Sequence, residues 1–124
     1  MILDTNALSA FADGSPPLSH VLASAIPAVP VIVLGEYRYG ITHSTRKHAY
    51  EAWLERYLPV FRVLDVTMQT ASEYAVIRSE LRRVGKSIPA NDIWIAALCR
   101  QHDLRLLSRD AHFDHVKGLR RMKW

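Results

Sequence analysis

The chain lacks most of the features by which common function classes announce themselves. It has one cysteine, Cys99, set in the apolar stretch Ile95-Ala96-Ala97-Leu98-Cys99. No bridge can form within the chain, so the thiol reads as a small buried hydrophobe, in keeping with the reducing cytoplasm that is the expected location. No run approaches the roughly 18 apolar residues of a membrane span. No basic segment precedes an apolar core at the start, so neither a membrane anchor nor a secretory leader is expected. The six histidines, His20, His43, His48, His102, His112 and His115, include no pair in a recognisable zinc motif. Gly-x-Gly-x-x-Gly is missing after the first apolar stretch, which argues against a dinucleotide cofactor. Repeats, linkers and low-complexity tracts are absent too. With 124 residues, 49% of them hydrophobic, the expected organisation is a single domain, 1–124, with a real core.

What is present begins with the first six residues, Met1-Ile2-Leu3-Asp4-Thr5-Asn6. Two apolar β-formers run into an acid, so a short strand would present Asp4 at its carboxyl-terminal edge. In open parallel α/β sheets ligands bind at that edge, because the loops diverge there and leave a crevice. Asp-Thr-Asn is equally good helix-capping chemistry. The formal net charge of +4 permits a polyanionic partner without establishing one.

The chain then alternates. Ala7 to Ala12 is helix-compatible, Asp13-Gly14-Ser15-Pro16-Pro17 breaks it, and Leu18 to Ala25 allows further helical turns with Ser19 as cap. Ile26 to Leu34, β-branched at Val31, Ile32 and Val33, reads as a strand buried on both faces, with Glu36 just beyond it. A helix is expected from Ser44 or Thr45 to Leu58, where Pro59 stops it. A strand follows near Phe61–Leu64. Thr67 or Thr70 then caps a long helix, the second with Glu73 as its capping-box partner. Tyr74, Ile77, Leu81 and Val84 form that helix's buried stripe, and Gly85 turns the chain. The cations Arg82, Arg83 and Lys86 at its end offset the macrodipole or contact RNA. Asp92 opens an apolar, central helix to about His102, which feeds a strand at Leu104–Ser108. Asp110 follows directly, and the tail holds a turn and a short terminal strand.

In a right-handed βαβ crossover the helices run antiparallel to the strands. The start of the Asp92 helix therefore belongs at the edge that already receives Asp4, Glu36 and Asp110. Unpaired carboxylates so close repel and raise one another's pKa, and a cation is what lets such a cluster persist. An all-oxygen ligand set selects a hard ion, Mg²⁺ or Mn²⁺. The matching chemistry is phosphodiester hydrolysis. The rival reading from another class is a non-catalytic module whose acidic rim holds an ion or a basic peptide.

These motifs carry a resemblance. Asp4-Thr5-Asn6 after a first strand, Glu36 after the second, Pro89-Ala90-Asn91-Asp92-Ile93-Trp94-Ile95-Ala96-Ala97, and Leu107-Ser108-Arg109-Asp110-Ala111-His112-Phe113 together resemble a PIN domain. More narrowly they are similar to the VapC-type toxin ribonucleases. The resemblance spans essentially the whole chain. It implies a three-layer α/β/α sandwich around a mainly parallel, Rossmann-like sheet, and a Mg²⁺- or Mn²⁺-dependent endoribonuclease. It also implies a homodimer, held inactive by a small, DNA-binding antitoxin. Carried over by position, Asp4, Glu36, Asp92 and Asp110 would be metal-binding and catalytic, with Asp114 the competitor for the fourth place. Thr5, Asn6 and Ser108 would support the acids by hydrogen bonds. Arg38, Arg109, His112 and the basic tail Lys117, Arg120, Arg121 and Lys123 are candidate substrate contacts, although His112 and His115 read first as an exposed turn pair. Trp53, Trp94, Tyr37 and Tyr39 read first as core or interface residues.

Overall fold

Ile2 and Leu3 are wholly buried and form β1 (Ile2–Leu3), the central strand of a computed structural model that describes residues 1–124. β2 (Ala28–Pro30), β3 (Arg62–Leu64), β4 (Leu106–Leu107) and β5 (Arg121–Met122) complete a sheet in the order β3-β2-β1-β4-β5. Every neighbouring pair is parallel. β1, β2 and β4 are buried throughout, as parallel strands covered on both faces must be.

The connections are helical. α1 (Thr5–Ala12) and α2 (Pro16–Leu22) join β1 to β2, and α3 (Val31–Thr42) and α4 (Lys47–Tyr57) join β2 to β3. α5 (Met68–Arg83) and α6 (Ala90–His102) join β3 to β4, and a 3-10 turn (Ala111–His115) lies between β4 and β5. From β1 the chain steps one way across the sheet to β3; from there it returns over β2 and β1 to β4. Right-handed crossovers therefore put α1 to α4 on one face and the α5–α6 hairpin on the other, making three layers. The direction changes between β1 and β4, and that switch point opens a crevice at the carboxyl-terminal edge.

One hydrophobic cluster of 27 buried residues fills the interior. α6 contributes most densely, with Ile93, Ile95, Ala96, Ala97, Leu98 and Cys99 all buried. Burial pushes the Cys99 thiol up to about 12, so this cysteine is an inert core residue. Phe11, Trp53, Tyr57 and Phe61 pack edge-on and stacked between α1 and α4. Tyr37 is buried beside Trp53, whereas Tyr39 is 72% exposed.

Several sequence expectations are corrected. Val31–Leu34 is not strand: β2 stops at Pro30, which takes the N-cap position of α3 with φ −62° and ψ 145°. The apolar run continues as helix and buries Val33, Tyr37 and Ile41 at spacings of four. Glu36 consequently sits in the second turn of a helix. Ser19 lies inside α2, and Ser15 stands at its N-cap. α6 starts at Ala90, which puts Asp92 in its first turn instead of at its cap. On α5, Ile77 and Leu81 are buried but Val84 is 64% exposed, because the helix ends at Arg83. The cap of α5 is Thr67, in a reciprocal box with Thr70 and not with Glu73. Thr67→Ala should therefore cost about 1 kcal/mol; urea unfolding measures it, and an unchanged midpoint would contradict the cap.

Candidate functional site

Asp4 serves both roles that its sequence context suggests. It is the N-cap of α1, with Oδ1 accepting the Ala7 N–H at 2.7 Å. It is also only 4% exposed at the switch-point crevice. Burial raises its carboxyl above the ordinary carboxylate value. The Ser108 hydroxyl and the Ala7 N–H pull it down, and the charges of Asp92 and Asp110 push it up again. Asp92 is raised too, first by burial and then by Asp110, against the hydrogen bond and charge of His112.

Asp110 arrives from the other side of the crevice. It leaves β4 through Ser108, whose Oγ accepts the Asp110 N–H at 3.0 Å. Its own Oδ1 accepts the His112 N–H at 3.2 Å and so caps the 3-10 turn. The turn is anchored by Phe113, 1% exposed, and this aims His112 between two acids. His112 Nε2 lies 2.7 Å from Asp92 Oδ2, and Nδ1 lies 2.8 Å from Asp110 Oδ1. Ligand atoms of Asp92, Asp110 and His112 all fall within 4.8 Å of one another.

Glu36 joins this group indirectly. Its Oε1 accepts a hydrogen bond from Thr5 Oγ1 at 3.1 Å, and Thr5 is the residue after Asp4. Glu36 also lines a groove with Asn91, the residue before Asp92. Neither lysine nor arginine forms a salt bridge with any of the four acids; the only partner is His112. Two carboxylates held above their ordinary range, with no lysine or arginine salt-bridged to them, fit a hard cation better than they fit a closed internal ion pair. Asp92, Asp110 and His112 offer ligand atoms close enough together to share one ion, and Asp4 lies near enough for its carboxyl to feel the charges of Asp92 and Asp110.

The remaining expected site residues divide. Thr5 and Ser108 make the supporting hydrogen bonds just described. Asn6 is exposed and bonds none of the acids. Asp114 is bound by Arg121 through two hydrogen bonds of 2.7 and 2.6 Å, and this pairing holds its carboxyl below the usual range. Arg109 is turned onto the Trp124 ring, 4.4 Å from its centroid, and Arg38 lies exposed on α3. His112 is the residue that the sequence undervalued: it bridges two acids instead of forming an exposed turn pair with His115. The signal for it was the spacing Asp110-Ala111-His112, since a capped tight turn brings a side chain two residues on back toward its cap.

An open parallel sheet whose switch-point crevice collects acids from β1, α6 and the end of β4 is the architecture of one known family. The PIN domain model matches residues 1–119, and the chain belongs to the PIN-domain family. Within it, the likeness is to VapC-type proteins. The chain is 34% identical over 97 residues, 77% of its own length and 74% of the relative's, to ribonuclease VapC2 of Haemophilus influenzae. Its fold matches a DNA-bound VapBC structure from Salmonella typhimurium with a TM-score of 0.87, at 26% identity over 99% of this chain and 96% of that one. FitAcB from Neisseria gonorrhoeae matches with a TM-score of 0.81, at 30% identity over 98% and 95%. No helix is long and apolar enough to cross a membrane.

Proposed function

We propose that this chain is a Mg²⁺- or Mn²⁺-dependent endoribonuclease, the toxin of a toxin–antitoxin pair. The observation that carries the reading is the crevice itself: Asp4 and Asp92 held high beside Asp110, with no lysine or arginine salt-bridged to them. Relatives named ribonuclease VapC and toxin FitB support the activity and the role. The VapBC and FitAB structures support a small protein antitoxin as partner.

In this reading Asp4, Asp92 and Asp110 hold the ion, and Glu36, fixed by Thr5, orients the attacking water. Bound there, the ion supplies an activated water and offsets charge on the scissile phosphate. Asp4 is kept in place by the α1 amide that it caps. Asp92 rides on a helix whose other faces are locked in the core, so its position does not depend on the ion. His112 bridges Asp92 and Asp110 through its two ring nitrogens. The antitoxin would block the same crevice by inserting a basic side chain among these carboxylates.

The test pairs cleavage with melting. A structured RNA should be cut in Mg²⁺ or Mn²⁺, spared when the metal is chelated, and cut again on re-addition. Metal at about 100 times its dissociation constant should add roughly 2.7 kcal/mol of stability, and Asp92→Asn together with Asp110→Asn should remove that gain. Cleavage that persists under chelation would sink the proposal. Metal-induced stabilisation without any cleavage would favour the non-catalytic module.

A further inference from the structure

Beside the acidic crevice, on the far side of the first turn of α6, lies a groove of about 430 Å³ between the ends of the α5–α6 hairpin. Its polar walls are Arg78, Arg82, Lys86 and Ser87, and no acid lines it. Its floor is apolar, formed by Leu81, Ile88, Ala90 and Ile93. Arg78, Arg82 and Lys86 form no salt bridge anywhere in the chain, in contrast to Arg100, Arg120 and Arg121, which each pair with an acid.

The geometry points to this groove as the track for the phosphate backbone of the single-stranded RNA on one side of the scissile bond. The inference rests on the ribonuclease reading and adds to it the surface that grips the substrate. Three observations lead to it. First, the groove and Asp92 share the first turn of α6. Ala90 and Ile93 face it one helical turn apart, and Asp92 lies between them, about 100° round the helix from Ile93. A strand passing over the first turn of α6 meets the cations on one side and the carboxylates on the other.

Second, the cations are presented by rigid structure. Arg78 and Arg82 fall on one face of α5 at a spacing of four. Arg78 leans on the Tyr74 ring and hydrogen-bonds its hydroxyl at 2.9 Å, and Tyr74 in turn stacks on Trp94 at 4.1 Å. Gly85, with φ +67°, reverses the chain so that the Lys86 N–H reaches back to the Leu81 carbonyl at 2.9 Å. Third, the charge is uncompensated and of one sign, which is what a polyanion selects and what a basic antitoxin segment would be repelled by. Offsetting the α5 macrodipole accounts for the cations at the helix end. It does not account for Lys86 beyond the helix or for a groove without acids.

Two variants of equal net charge decide the matter. One is Arg78→Ala/Arg82→Ala/Lys86→Ala. The other, Arg46→Ala/Lys47→Ala/Arg56→Ala, removes three surface cations at and along α4. In the Asp4→Asn background, binding of a fluorescein-labelled unstructured oligoribonucleotide is followed by anisotropy across a salt series. The groove variant should bind about 10-fold more weakly or worse, with a salt slope smaller by about 2, while the control changes far less. With Asp4 intact, the groove variant should raise KM for RNA cleavage and leave kcat nearly unchanged. Equal losses in both variants, no loss in either, or no RNA binding at all overturns the inference. So does retained RNA affinity with loss of a co-purifying protein partner, which would assign the groove to protein. If RNA binds through the groove but is never cut, the ribonuclease reading fails and the groove inference stands.

Discussion

Asp4→Asn is expected to slow RNA cleavage by about 100- to 1,000-fold while leaving the fold as stable as before, or more so. Asparagine is as good an N-cap as aspartate, so the bond to the Ala7 N–H is kept. What is lost is a negative charge that burial and two neighbouring carboxylates already disfavour. The pH dependence follows in sign. A carboxyl held higher in the folded chain than in the unfolded one favours folding while it is protonated. That contribution is complete below the unfolded value and is lost as pH climbs through the folded value. The variant is neutral at every pH. Its stability relative to the metal-free native chain should therefore grow from acidic toward neutral pH. Asp92, raised in the same direction, keeps part of the slope in both. Melting curves without metal at acidic and neutral pH, beside single-turnover cleavage with metal, measure both halves. Cleavage within a few-fold of native, or a variant that melts lower at neutral pH than at acidic pH relative to native, contradicts the account.

Phe113→Ala should cost about 3–5 kcal/mol of stability and take activity with it. Phe113 is 1% exposed and is the buried anchor of the 3-10 turn that carries Asp110 at its cap and His112 one residue before the ring. Without the ring, the turn loses its attachment to the core and the pair of contacts to Asp92 and Asp110 loosens. Phe113→Leu, which keeps most of the volume, should restore most of the stability. Urea unfolding gives the energies. Cleavage assayed where the alanine variant is still folded separates loss of the site from loss of the fold. A cost below about 1 kcal/mol would mean that the turn does not depend on this anchor.

The alternation of strands and helices was legible because the chain punctuates itself well, and the three layers followed from the family resemblance. Pro16, Pro17, Pro59 and Gly85 mark breaks that the structure keeps, and the apolar α6 segment could only be central. The error at Val31–Leu34 has a clear physical origin. β-branched residues favour strands only weakly, and an apolar run buried on all sides looks alike in either conformation. The recurrence of Val33, Tyr37 and Ile41 at intervals of four was the better signal, and Pro30 supplied a boundary. At the site, Asp4, Asp92 and Asp110 could be brought to one edge by topology alone, because each follows a strand or lies in the first turn of a helix that topology orients; Glu36 could not, because the strand expected before it is helix. His112 could not, since its place depends on a tight turn whose geometry no periodicity encodes. Asn6 fails for the converse reason: one position further round α1 from Thr5, it faces solvent, and a single helical step separates support from none.

The brevity of β1 sets how this site can vary. The strand has two residues, paired at Ile2↔Leu106 and Leu3↔Leu107, and the next rung is already the Asp4 N–H on the Leu107 carbonyl at 3.3 Å. Inserting or deleting one residue here would slide the first carboxylate by about 3.3 Å and turn it to the opposite face of the sheet. A longer strand could absorb the change in a bulge; this one has no spare residue to bulge. Burial holds the identities of Ile2 and Leu3, and the carboxylate that follows holds the length of the segment.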